Sequence, residues 1–160
     1  MAKTLNKGYA DSVVATKNVA IPSLSWGTDF KTKVDDPNEV IVTNVTCPLD
    51  RPETIRFGYT EIADVYKNTS IDSSVYAPTK RGIQLLAQVN DVYTVTDSVD
   101  TQYRVDLPVQ AHLVIKVPAN ELITADEVNK LIARAVSTFY ATATVTSEKI
   151  AAMIRGSLRP

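Results

Sequence analysis

Few side chains in this sequence could do acid–base or nucleophilic chemistry. Its 160 residues include one histidine, His112, and one cysteine, Cys47. A Ser-His-Asp or Cys-His mechanism needs an imidazole that takes and returns a proton, so His112 would have to serve. The sequences that usually surround such a group are missing: there is no G-x-S-x-G elbow, P-loop, G-x-G-x-x-G or H-E-x-x-H. One histidine and one cysteine also fall short of a four-ligand zinc site. Neither a metal nor a cofactor is expected. Paired acids occur at Asp35-Asp36, read as a turn before Pro37, and at Asp126-Glu127, which opens a helix. No acid lies in an apolar run that would raise its pKa, which disfavours a carboxylate-only enzyme.

His112 lies within LPVQAHLVIKVPA, Leu107 to Ala119. Read as a strand, this segment puts Val109, Ala111, Leu113, Ile115 and Val117 on one face. Gln110, His112, Val114 and Lys116 fall on the other. A core histidine belongs on the aliphatic face, and His112 is on the mixed one. Gln84 and Gln88 share one face of a neighbouring strand, and Arg56 and Thr60 alternate with apolar residues on theirs. Two readings stand: an ordinary solvated sheet surface, or a platform where such groups pair with the bases and phosphates of single-stranded nucleic acid. Lys80-Arg81 is a small basic pair that reads as a solubilising turn.

The elements that must position these residues change character along the chain. Up to about Pro118 the pattern is strands and turns, and from Thr124 it is helical, an α+β order. Thr124-Ala125-Asp126-Glu127 has capping-box form. Val128, Leu131, Ile132, Ala135, Val136 and Phe139 then recur on one helix face, predicting a rod of about 25 Å to Tyr140. ATATV interrupts, and Thr146 or Ser147 caps a second helix carrying Ile150, Met153 and Ile154, ended by Gly156. Upstream, TIRFGYTEIADVY reads as a strand with a bulge near Ile62. Asn90-Asp91 reads as the tight turn of a hairpin from Ile83 to Asp97, which would set Tyr93 opposite Gln88. Ser98 to Asp106 reads as a polar loop. SVVATKNVAI and EVIVTNVT are plausible strands, separated by turn-rich PSLSWGTDFKTKVDDPN.

The totals fit one domain with a core: 44% hydrophobic, 22% charged, and a formal net charge of −1. That balance argues against coating nucleic acid by bulk charge, so any such contact needs a local cluster. With no 20-residue apolar run and no signal-like start, neither a membrane span nor secretion is expected. Asn44-Val45-Thr46 and Asn68-Thr69-Ser70 then read as chance sequons. The lone cysteine excludes an intrachain disulfide and points to a reducing compartment.

From about Thr54 to Pro160 the order of elements resembles the coat proteins of the small single-stranded RNA bacteriophages, the levivirus group. APTKRGIQLLAQV, LPVQAHLVIKVP, ITADEVNKLIARAVSTFY and the closing RGSLRP carry the resemblance. It implies a single domain, 1–160, with an N-terminal β-hairpin (1–50), a main antiparallel sheet (54–118) and two C-terminal helices (124–156). It implies an interlocked homodimer whose helices lie over the partner's sheet, with Val128, Leu131, Ile132, Ala135, Val136, Phe139, Ile150 and Ile154 at the interface. Dimers of such proteins close into an icosahedral shell around genomic RNA in the bacterial cytoplasm. The resemblance places RNA contacts at Gln84, Gln88, Gln110, His112, Lys116 and Lys80. Gln110 and His112 stand where the best-known members carry tyrosine and asparagine. Ser98, Asp100, Gln102 and Arg104 would lie in the loop that meets neighbouring dimers. The partners implied are the chain itself and single-stranded RNA, with no membrane and no cofactor. The alternatives are a dimeric RNA-binding regulator that does not assemble, and an α+β enzyme using a carboxylate.

Overall fold

Alternating side chains and β-branched residues from Phe30 to Pro118 build one antiparallel sheet in the computed structural model, which describes residues 2–8, 19–76, 79–141 and 145–158. Its strands are β1 (Phe30–Asp36), β2 (Glu39–Asn44), β3 (Thr54–Ile62), β4 (Gly82–Thr96) and β5 (Arg104–Pro118), paired in chain order. A four-residue helix, α1 (Ser73–Tyr76), lies in the β3–β4 connection. Helices α2 (Ala125–Ser137) and α3 (Glu148–Ile154) follow the sheet. The chain forms two units, residues 23–119 with the sheet, and residues 1–22 together with 120–160. The α+β order is as expected.

Several local expectations are overturned. Asn90-Asp91 is not a turn, because β4 runs unbroken through it. Asn90 pairs with Thr54 on one side and Gln110 on the other, so both ladders compete with the local turn preference and win. The polar side chains are satisfied within the strand: Gln88 Nε2 donates to Asn90 Oδ1 at 3.0 Å, and Asp91 accepts from the Val92 amide at 2.7 Å. Tyr93 therefore faces Leu107, not Gln88. The reversal comes at residues 97–103, where Asp97 and Asp100 carboxylates accept the Val99 and Gln102 amides. Arg104 opens β5 and does not belong to that loop.

FKTKVDD, assigned to turns, is strand β1, and Asp35 and Asp36 end it. Its apolar anchor, Phe30, is buried in the small core with Val42 and Ile55, and the Trp26 ring packs at a tilt against Phe30 (centroids 5.1 Å apart) and Phe57 (5.9 Å). The bulge lies in β1 between Thr32 and Val34; β3 keeps register to Ile62 and stops there. Most of SVVATKNVAI lies outside the described residues, and residues 19–21 form no strand.

Gly82 is the position where the sheet leaves no room for a side chain. A Cβ there would meet Val65 Cγ1 at 2.1 Å and the Val117 carbonyl at 2.6 Å. The Val65 and Ala119 amides donate to the Lys80 and Arg81 carbonyls, closing the backbone around it.

In the other unit, Thr124 is the N-cap of α2 but makes no side-chain cap bond. Glu127 turns away from the expected capping box to Lys7 (2.5 Å) and Lys130 (3.1 Å). The helix ends at Ser137, short of Tyr140, because Thr138 Oγ1 binds the Ala135 carbonyl and the next amides make tighter i→i+3 bonds. Thirteen residues give a rod of about 20 Å. The interrupting residues 142–144 lie outside the described ones. Helix α3 closes as anticipated at Gly156, whose φ of 91° lets its amide reach Met153 and the Ser157 amide reach Ala152.

Candidate nucleic-acid interface

Register assigns each face. Gln84 lies opposite Lys116, Gln88 opposite His112 and Asn90 opposite Gln110 across β4 and β5. Across β3 and β4, Thr60 lies opposite Gln84, Arg56 opposite Gln88 and Thr54 opposite Asn90. Because directly paired residues point to the same side of a sheet, all of these share one face. Three polar rows result, and Arg56, Gln88 and His112 form the central one, spanning about 10 Å at the usual strand spacing. Five of the six expected RNA contacts, Gln84, Gln88, Gln110, His112 and Lys116, are thus brought together. Lys80 lies outside the strands, exposed just before β4.

The rows are partly pre-organised. Arg56 Nε donates to Glu39 Oε1 at 2.6 Å, holding the guanidinium toward β2. His112 Nε2 and Gln110 Oε1 are 3.3 Å apart on the same edge strand. Lys116 makes no ion pair among the described residues. Beside the central row, the bare backbone of Gly58 floors a depression of about 700 Å³ lined by Glu39, Arg56, Thr60 and Gln84. Hydrogen-bonding groups of both senses and cations, without a nucleophile–base pair, suit binding rather than bond breaking. No described cluster of His, Cys, Asp or Glu could hold a metal ion.

Sequence reasoning missed Asn90 and Thr54 as members of this face. The signal was present, since Gln84, Gln88 and Asn90 keep one parity, but the turn propensity of Asn-Asp obscured it.

The opposite face is apolar: Phe57, Leu85, Ala87, Val89, Leu113 and Ile115 share it by register. It is incompletely covered within the chain, with Tyr93 59% and Leu107 44% exposed. The helix residues expected at a dimer interface are also uncovered to varying degrees. Leu131 is 47%, Phe139 46% and Ile154 80% exposed. Ala135 is exposed, while Val128, Ile132, Val136 and Ile150 are half-buried. Neither α2 nor α3 has a buried residue, and no described helix is long and apolar enough to cross a membrane.

At the far end of this sheet, Ser98, Asp100 and Gln102 sit in the exposed β4–β5 loop. Arg104 instead binds two carboxylates. Its Nη2 donates to Asp50 and to Asp106 at 2.9 Å each, and its Nε to Asp106 at 3.0 Å. Thr94 Oγ1 adds a bond to Asp106 at 2.9 Å. The guanidinium holds both carboxyl groups below their ordinary pKa, and they in turn raise that of Arg104.

The whole chain resembles solved particle subunits. The virus-like particle of bacteriophage AVE015 matches with a TM-score of 0.90 and 32% identity, covering 99% of this chain and 98% of that one. The virus-like particle of bacteriophage GQ-112 matches with a TM-score of 0.82 over 97% and 96% of the two chains, at 11% identity, a likeness of fold alone. No family model matches the sequence, and no curated protein does.

Proposed function

The chain belongs to the bacteriophage coat proteins, and from that premise we propose that it dimerises, closes into an icosahedral shell and holds single-stranded RNA on its polar sheet face. It is a capsid protein and not an enzyme. The observation that carries the assembly reading is the end-to-end likeness, at 32% identity, to a subunit of a virus-like particle.

The unequal sheet edges support a dimer. Edge β1 is blunted by a bulge and by Lys31, Lys33, Asp35 and Asp36, devices that discourage further pairing. Edge β5 runs fifteen residues in unbroken register. We assign that edge to pairing with a second copy, which would continue the sheet and its apolar face. The stripes of α2 and α3, with Val128, Leu131, Ile132, Ala135, Val136, Phe139, Ile150 and Ile154, then serve to cover the partner's apolar face. Ser98, Asp100 and Gln102 at the exposed loop serve contacts between dimers.

The RNA reading rests on the rows Thr60–Gln84–Lys116, Arg56–Gln88–His112 and Thr54–Asn90–Gln110. With a net charge of −1 for the chain, binding draws on this local cluster and on base contacts more than on bulk charge. Such a face fits an RNA hairpin whose unpaired bases can reach the sheet, the arrangement that would repress translation and mark a genome for packaging.

Expression of the chain alone followed by negative-stain microscopy tests the proposal. Uniform closed shells containing host RNA are expected. A soluble dimer at all concentrations would replace this reading with a dimeric RNA-binding regulator that does not assemble.

A further inference from the structure

The β4–β5 hairpin outruns the rest of the sheet. The last β3–β4 pair is Thr54 with Asn90, whereas β4 and β5 continue to pair through Thr96 and Arg104. Residues 91–96 and 104–109 therefore form a two-stranded arm with no third strand beside it among the described residues. The β2–β3 loop flanks the arm without packing tightly on it, since a depression of about 310 Å³ is lined by Pro52 from the loop and by Asp91, Val92 and Pro108 from the arm. A two-stranded ribbon is readily twisted.

Arg104 joins the arm to the loop. Arg104, on the arm, donates to Asp50 of the loop, 54 residues away in sequence, and to Asp106 on its own strand. Thr94 on β4 also binds Asp106, so both strands of the arm join the network. Arg51 adds a second cation, 3.4 Å from Asp50. The charged groups meeting here are Asp50 and Arg51 from the loop and Arg104 and Asp106 from β5, with neutral Thr94 from β4. They cancel in pairs, and the Arg104 fork engages both Asp106 oxygens, the geometry that gives such a pair its direction.

We propose that Arg104 is a clasp that fixes the direction of the β4–β5 arm by tying it to the β2–β3 loop through Asp50. Its hold is electrostatic and lies at the surface, so salt loosens it. Arg104 holds the pKa values of Asp50 and Asp106 below the ordinary one, so the tie is complete above the ordinary carboxylate range and is lost as pH falls through their lowered values in the folded chain. One consequence rests on the coat reading above. The arm carries the loop that meets neighbouring dimers, so the clasp would keep the angle between dimers uniform.

Hydrogen exchange on the full-length protein at neutral pH tests the clasp, comparing the native chain with Asp50→Asn, Arg104→Gln and the double variant. Amides of residues 46–53 and of residues 91–96 are expected to exchange about threefold faster in each single variant, the scale of one lost exposed contact. The double variant should be no faster than Arg104→Gln, and the native chain should lose the same protection, relative to the unfolded-chain rate at each condition, in acid or high salt. Changes confined to the neighbours of each substitution, or effects that add in the double variant, would overturn the proposal. Particle diameters separate the consequence from the clasp itself. A broader spread for Arg104→Gln supports the role in assembly. Uniform particles with faster exchange sink that role and leave the clasp standing. If the native chain forms no particles, the coat reading fails, while the exchange result still decides the clasp.

Discussion

Gln88 and His112 face each other directly across β4 and β5, with Arg56 opposite Gln88 on the far side. This row places an amide, an imidazole and a guanidinium side by side on one face of the sheet. His112 is thereby the end member of this row, exposed on the edge strand and not buried.

Replacing His112 with alanine should leave assembly intact and weaken RNA binding about fivefold, the worth of one net hydrogen bond. Filter binding of the phage's own RNA across a salt series checks this. Unchanged affinity at every salt concentration would remove His112 from the interface.

Leu131→Asp should prevent dimers, because it puts an unpaired charge on the α2 stripe that a partner would bury. A loss of association on the order of 100-fold or more is expected, measured by analytical ultracentrifugation. A dimer of unaltered affinity would mean that this helix face does not meet the partner.

Gly82→Ala tests packing alone. Its Cβ would press on the Val65 side chain and on the Val117 carbonyl, and the backbone carbonyl cannot move aside freely. Overpacking of this kind destabilises by about 1–3 kcal/mol, so the thermal midpoint should fall by several degrees. A midpoint equal to the native one would show that the β3–β4 connection relaxes without cost.

Glu127 links the N-terminal segment to α2 through Lys7, and Lys7 and then Lys130 lower its pKa below the ordinary 4.5. A lowered pKa means that the folded state favours the carboxylate. Its contribution is present above the ordinary value and is lost as pH falls through the value in the folded chain. Acid should therefore lower the protection of residues 2–8 relative to the unfolded-chain exchange rate at the same pH, and Glu127→Gln should lower it at neutral pH. Equal exchange in native and variant chains at pH 7 would show that the pair does not hold the segment.

Some of this was readable from the sequence because it is local. The two faces of residues 107–118 follow from period-two alternation, and the stripe of α2 from period 3.6, so neither needs knowledge of a neighbour. The end of α3 at Gly156 follows from backbone freedom at one residue. Other features were decided between segments. Asn90-Asp91 has the chemistry of a turn, yet lies in a strand because β5 pairs with both residues and β3 with Asn90. FKTKVDD is charged and sits among turn residues, yet is a strand because β2 pairs with it and Phe30 reaches the core. Thr124 and Glu127 spell a capping box, but Lys7 draws the glutamate away. The Arg104–Asp50 tie joins residues 54 apart. Local periodicity is written in neighbouring side chains, while pairing and ion contacts depend on which distant segment the fold brings alongside, and that was settled only by the tertiary structure.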